Sequence, residues 1–333
     1  MNKRKKIFLI VILLIAISQL ILLAFLIYFN WGTAKKAEIG VTFSPYHARY
    51  FGLDPKQVLR DSLDDLKIKK YRLAANWDVV EQKPGKYYFG DLDWQLNQIE
   101  KRNGSVVLAI GRRLPRWPEC HDPKWIKGMN EKKIQTRVLN LLKVLVNKYK
   151  DRDIISAWQV ENEPLLSVFG KCPAPDIEFL KKEIELVRSL DSRPIILTES
   201  GELSNWTNAA LLADMVGVSI YKTTWSKGVG ISSYPLTSIY YKHRARTIRP
   251  LVKKVFVSEL QAEPWARGSL LETPILEQKI FIDEKKLKKS INFAKKAGFN
   301  EIYLWGIEWW AWLKKQGDSS MWNTVKAEVQ ENR

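Results

Sequence analysis

From residue 37 onward, short β-rich runs alternate with longer helical patterns, and eight such runs can be picked out: 39–43, 70–74, 105–110, 154–160, 194–198, 216–221, 254–259 and 301–305. Joining one strand to a parallel neighbour requires a crossover, usually a helix. The alternation therefore predicts a parallel α/β architecture, and eight is the number at which such a sheet closes into a (β/α)8 TIM barrel. An open doubly wound sheet is the competing arrangement. It would carry a glycine-rich phosphate turn after the first strand, where this chain has Ser44-Pro45-Tyr46-His47.

The helical stretches fit the same plan. Val58, Leu59, Leu63 and Leu66 recur at helical spacing within 55–66, as do Val138, Leu141, Leu142 and Leu145 within 134–149, giving each helix an apolar face to lay on a barrel. The pattern at 287–297 ends at Gly298, which suits a left-handed C-terminal cap. Residues 223–249, with Gly228, Gly230, several serines and then tyrosines and basic residues, read as a long loop and helix after the sixth strand. Loops after barrel strands build the active face, so this stretch is expected to shape a cleft.

The N-terminal residues stand apart. A basic cluster at 1–6 precedes an apolar run at 7–29 broken only by Ser18 and Gln19. At ~1.5 Å per helical residue this run reaches about 35 Å, enough to span a bilayer and longer than the apolar stretch of a secretory signal. A cleaved signal peptide is the alternative, given the small residues in 33–37. The division expected is a cytoplasmic N-terminus at 1–6, a transmembrane anchor at 7–29, a short tether at 30–36 and one barrel domain at 37–333. Lys3, Arg4, Lys5 and Lys6 before the span outnumber Lys35 and Lys36 after it. The positive-inside bias thus places the N-terminus in the cytoplasm and everything after Trp31 outside, in a single-pass cell-membrane protein.

The formal charge is +18; residues 1–36 carry six Lys/Arg and no Asp/Glu, which leaves +12 on the remainder by subtraction. Such an exterior suits solubility, and also proximity to anionic lipid, cell-wall polymer or an acidic glycan. Nucleic acid is not an expected partner in that compartment. The two cysteines, Cys120 and Cys172, lack the paired spacing of a zinc site, and no metal or other cofactor is indicated. In an oxidising exterior they have the option of forming one disulfide.

Carboxylates mark the ends of two strands. Trp158-Gln159-Val160-Glu161-Asn162-Glu163-Pro164 closes the fourth run, and Val257-Ser258-Glu259-Leu260-Gln261-Ala262-Glu263-Pro264-Trp265 closes the seventh. In a barrel these ends form the catalytic face, and strands four and seven stand on opposing parts of the ring. Glycoside hydrolysis needs such a pair: one group protonates the departing oxygen while the other supports or attacks the anomeric carbon.

With these motifs the chain resembles the clan of retaining (β/α)8-barrel glycoside hydrolases, clan A, that includes the cellulase, mannanase and β-galactosidase families. The resemblance covers essentially everything after the anchor. It implies that Glu163 in Asn162-Glu163-Pro164 is the acid/base, that Asn162 contacts the sugar 2-hydroxyl, and that Glu259 is the nucleophile. Arg72 resembles the basic residue on strand two that keeps the nucleophile ionised, Tyr221 the strand-six aromatic that hydrogen-bonds to it, and Trp305 the strand-eight platform beneath the sugar. Residues 81–96, with Pro84, Gly85, Tyr87, Phe89, Leu92 and Trp94, resemble the segment following strand two. No secure match to a particular substrate comes from 111–121 or 198–202.

Glu161 and Glu263 share strand parity with the two chosen carboxylates, so alternation alone does not choose among them. They are expected to be supporting hydrogen bonders or carboxylates at a subsite edge. About half of the tryptophans near strand ends (Trp77, Trp117, Trp125, Trp265, Trp305, Trp309, Trp310 and Trp312) are expected in the core and the rest at the cleft. His121 is a candidate for binding sugar or orienting a carboxylate. The activity implied is hydrolysis of a β-linked oligo- or polysaccharide; a non-catalytic glycan-binding barrel and a membrane-tethered scaffold are the competing functions. Oligomeric state has no signature in the chain.

Overall fold

A computed structural model describes residues 3–30 and 33–332; Met1, Asn2, Trp31, Gly32 and Arg333 lie outside the described residues, and with them parts of the expected cytoplasmic terminus and tether. Eight parallel strands close into a barrel: β1 (Glu38–Thr42), β2 (Lys70–Ala74), β3 (Ser105–Ile110), β4 (Ile155–Val160), β5 (Ile195–Ser200), β6 (Met215–Ile220), β7 (Lys254–Gln261) and β8 (Glu301–Trp305). Neighbours follow chain order around the ring, and β1 pairs with β8 to close it. Closure excludes the open doubly wound sheet.

Helices cover the outside. Pro55–Asp64 buries Val58, Leu59 and Leu63, and Glu131–Tyr149 buries Val138, Leu141, Leu142 and Leu145, the apolar faces expected from their spacing. Asp54, Asn130, Asp176 and Asp283 each accept a backbone N–H at a helix start, satisfying donors that the first turn leaves without a partner. Gly298 has φ +91° after the helix Glu284–Lys296, as its capping role requires.

The stretch after β6 holds one surprise. Thr223–Ser226 and Gly230–Ser233 pair as an antiparallel hairpin before the helix Ser238–Ile248. Two four-residue strands of Ser, Thr and Gly with one apolar residue each, Trp225 and Ile231, are too short to show apolar alternation, so periodicity did not reveal them.

Side chains fill the barrel in layers. Val107, Ala157, Ile196, Phe256 and Tyr303 pack together as an interior cluster, and toward the base Glu301 accepts from both Lys70 and Lys254. Gly217 makes room above: a Cβ there would meet Ser258 Cβ at 2.7 Å. The pairing of β7 with β6 and with β8 shifts register around Ser258. A bulge lets consecutive residues point the same way. Ser258 therefore faces Gly217 inside the barrel, and Glu259 also turns inward.

The helix Lys3–Asn30 contains a window, Lys5–Leu23, with mean hydropathy 2.8, none of it buried against the barrel. It is long and apolar enough to cross a membrane.

Candidate active site

Strand ends and the loops after them surround a cavity of ≈1170 Å³ at the mouth of the barrel. Glu163, Asn162, Tyr221, Glu259 and Trp305 line it, and so do Glu119, Glu202 and Glu263. Its size is that of a small-molecule or oligomer cleft.

Arg72 organises the floor. It is fully buried; its Nε donates to Gln159 (2.6 Å), Nη1 to Glu259 Oε1 (2.7 Å), and Nη2 to Asn162 Oδ1 (2.6 Å). A buried guanidinium needs such acceptors to offset its lost hydration. Tyr221 donates its hydroxyl to the other oxygen of Glu259 at 2.7 Å, and burial together with the Glu259 charge raises the phenol well above its ordinary range, keeping it a donor. Glu259 thus has one oxygen on a cation and the other on a phenol.

Asn162 is oriented by its neighbours. Its Oδ1 accepts from Arg72, and also from Thr198 Oγ1 at 3.2 Å. Because arginine only donates, the amide oxygen faces Arg72 and the NH2 group is left for the cavity. Thr198 Oγ1 also accepts the Glu163 backbone N–H at 2.9 Å, which locks the turn after β4.

Glu163 has the opposite environment from Glu259. Its carboxylate accepts one hydrogen bond, from Ser219 Oγ at 2.6 Å, and has no cation partner of its own among the described residues. Burial, reinforced by the nearby Glu259 charge, pushes its carboxyl up to about 8. At neutral pH it carries a proton. Strand alternation does not govern it, because β4 ends at Val160 and both Glu161 (φ +62°) and Glu163 (φ +44°) adopt left-handed backbone. Positive φ in bulky residues is a mark of functional turns.

The two remaining glutamates lie in different places. Glu161 lies away from the main cavity and accepts the backbone N–H groups of Arg112 (2.6 Å) and Arg113, holding the loop after β3. Glu263 lines the cavity edge, accepting from Trp305 Nε1 (2.8 Å) and from Arg116. Burial works to raise its carboxyl, but Arg116 and His47 outweigh it and hold the group at about 2. Arg116 also donates to the buried Glu308 at 2.8 Å, and its guanidinium lies 4.0 Å over the Trp305 ring. One face of the expected platform is therefore occupied by a cation, and with the residue only 8% exposed a small part of the ring reaches the cavity.

His121 does not stand where a sugar would touch it, though it lies beside the carboxylate of Asp78. It does not line the cavity; it is buried, with Nε2 3.1 Å from the Arg116 carbonyl. Burial lowers its basicity, opposed by Asp78. It braces the loop that carries Arg116.

Sequence reasoning missed that loop's contribution. Arg116 and Glu119 both have positive φ (+88° and +66°), and Arg113 Nε donates to Glu119 at 2.7 Å. The Cys120–Cys172 disulfide, with Cα atoms 5.2 Å apart, ties this loop to the one after β4. Glu202, also missed, accepts from Tyr241 (2.5 Å) and from the Tyr221 backbone N–H (3.2 Å), and burial lifts it to about 7. Trp117, Trp225, Trp265 and Trp305 line the cavity, whereas Trp77, Trp309, Trp310 and Trp312 are buried in the core.

No family model matches the chain. Among curated proteins, β-galactosidase LacZ of Lactobacillus acidophilus is 27% identical over 105 residues, covering 26% of this chain and 16% of that protein. Among solved structures, a β-galactosidase from the Antarctic haloarchaeon Halorubrum lacusprofundi superposes with a TM-score of 0.56 at 14% identity, covering 80% of this chain and 52% of its own. Xylanase 10B of Thermotoga petrophila, solved in complex with xylobiose, gives a TM-score of 0.57 at 13% identity over 89% of this chain and 94% of that one. These likenesses show a shared barrel fold. The chain spans about half the length of the haloarchaeal protein, and less of the curated relative.

Proposed function

We propose that this chain is a retaining glycoside hydrolase that cleaves β-linked glycans through a covalent glycosyl-enzyme, with Glu259 as nucleophile and Glu163 as acid/base. The observation that carries the reading is the unlike treatment of two carboxylates at one barrel mouth. Glu259 rests on Arg72 and Tyr221, while burial beside Glu259 lifts Glu163 to about 8. Paired carboxyls in unlike environments divide acid and nucleophile roles.

In the first step a Glu259 oxygen bonds to the anomeric carbon as the glycosidic C–O bond breaks, and Glu163 gives its proton to the leaving oxygen. Bond formation discharges Glu259, so the Glu163 carboxylate left behind no longer faces a neighbouring negative charge. In the second step Glu163 takes a proton from water, whose oxygen attacks the anomeric carbon and releases Glu259. Asn162 NH2 is poised for a sugar hydroxyl, and the ring of Trp305 offers its open surface to sugar C–H bonds. The structural neighbours, named as a β-galactosidase and a xylanase, support hydrolysis of O-glycosyl bonds and differ in the sugar.

The same reading places the enzyme outside the cell membrane. An apolar helix preceded by basic residues supports a single-pass anchor with its N-terminus in the cytoplasm, and the disulfide suits an oxidising exterior. The test is a panel of β-linked oligo- and polysaccharides offered to the membrane-bound chain. Turnover abolished by either Glu163→Ala or Glu259→Ala supports the proposal; binding without turnover would favour a non-catalytic glycan receptor.

A further inference from the structure

We propose that the glycan accepted by this cleft is anionic, its acidic groups held at the rim by Lys171, Lys227 and Arg267. This rests on the glycoside-hydrolase reading for the cleft's purpose and adds the class of substrate. The three cations stand on the loop after β4, in the hairpin after β6 and on the loop after β7, all exposed and all lining the cavity.

None of them is paired with a carboxylate among the described residues, whereas other arginines around the barrel are: Arg49 with Asp91, Arg112 with Asp122, and Arg152 with Glu100. Two of the three approach aromatic rings of the same rim. Lys171 Nζ lies 5.7 Å from the ring of Trp117, which is 63% exposed, and the Arg267 guanidinium lies 5.7 Å from that of Trp225. A flat apolar ring beside a free cation matches a sugar with an apolar C–H face and an acidic substituent.

The rim is also built. Lys171 N donates to the Pro118 carbonyl at 2.9 Å, and the Cys120–Cys172 disulfide fixes the two loops that carry Trp117 and Lys171.

Charge within the cleft does not cancel these cations. Arg72 faces Glu259, Arg116 faces Glu263 and Glu308, and Arg113 faces Glu119. Burial keeps Glu163 protonated at neutral pH and lifts Glu202 to about 7. Sharing of Arg116 by two carboxylates and partial ionisation of Glu202 leave some negative charge inside, less than the three rim cations carry, so the charge of the mouth is positive at its periphery. Screening limits its reach to about 8 Å at physiological salt, so it acts on groups in contact with the rim.

The test uses the full chain in detergent, carrying Glu259→Gln so that bound glycan is not consumed. Probes are β-linked oligosaccharides in matched forms: neutral, carboxylated at C6, O-sulfated and phosphodiester-substituted. These arms tell which anion is preferred. We expect at least one acidic form to bind about tenfold more tightly than its neutral match, with the advantage shrinking as salt rises. Adding Lys171→Ala, Lys227→Ala and Arg267→Ala together should remove that advantage, while Lys132→Ala, Lys143→Ala and Lys289→Ala, on exposed helical positions, should preserve it. Equal binding of neutral and acidic forms, no binding of any acidic form, or equal loss in both triple variants would overturn the proposal. Acidic glycan bound but never cleaved by the native chain would instead sink the hydrolase reading alone. Cleavage of neutral glycan with no acidic preference would leave the hydrolase and remove this inference.

Discussion

Replacing Glu163 by glutamine should make the barrel more stable at alkaline pH than the native chain. Glu163 is buried, accepts a single hydrogen bond from Ser219, and lies near the charge of Glu259, so its carboxyl rises from an ordinary 4.5 to about 8. A carboxyl raised on folding is protonated in the native state and ionised in the unfolded chain between those two values. The folded state then binds more protons, and stability falls as pH climbs through that window. The stabilising share is complete below about 4.5 and gone above about 8. At 1.36 kcal/mol per pH unit the ceiling is ~5 kcal/mol, and water entering the open cleft reduces it to about 2–3 kcal/mol. Glutamine keeps the shape and an acceptor for Ser219 but has nothing to ionise. Thermal unfolding of both chains from pH 5 to 9 should therefore show curves that coincide near pH 5 and separate by roughly 4–8 °C near pH 9, with the variant higher. Parallel curves, or a native chain that gains on the variant as pH rises, would refute the reasoning.

The same proton sets an activity limb: kcat/KM of the native chain should fall about tenfold per pH unit above about 8, as the acid form is lost, and a flat profile from pH 7 to 10 would contradict it. Arg72→Ala should lower kcat/KM by roughly 100-fold or more through loss of the cation on Glu259, with Arg72→Lys recovering part of it; normal turnover in a merely less stable chain would assign Arg72 a structural role alone. The chain should stay with membranes after alkaline carbonate washing, and a reporter fused after the C-terminus should lie outside the cytoplasm; a soluble mature chain starting near residue 31 or 37 would mean cleavage of the leader.

The barrel was legible because its strands are apolar, short and regularly spaced. Runs 70–74, 105–110 and 301–305 coincide with β2, β3 and β8. The hairpin after β6 was not, since one apolar residue in each four-residue strand, Trp225 and Ile231, makes no period. Within the site, Glu163, Glu259, Arg72, Asn162 and Tyr221 come together as the motifs implied. What parity failed to supply is the way each glutamate reaches the cleft: Glu259 turns inward by a bulge at Ser258, and Glu163 by left-handed backbone beyond the end of β4. Both depend on neighbours distant in sequence. His121, a candidate for sugar contact from its place after the third strand, instead lies outside the cavity against the Arg116 carbonyl. Arg116, Glu119 and Glu202 escaped notice because their positions depend on a loop path fixed by a disulfide and ion pairs, with no periodicity to betray it.

The central claim, that Glu259 forms a covalent bond to the sugar while Glu163 shuttles the proton, fixes the stereochemistry of the first product released. Two displacements at the anomeric carbon restore its configuration, whereas a single one by water inverts it. Proton NMR of the native chain acting on a β-linked substrate, recorded within the first minutes before mutarotation, should show the β anomer appearing first and the α anomer growing in later. An α anomer formed first would contradict the double displacement and the roles given to both glutamates.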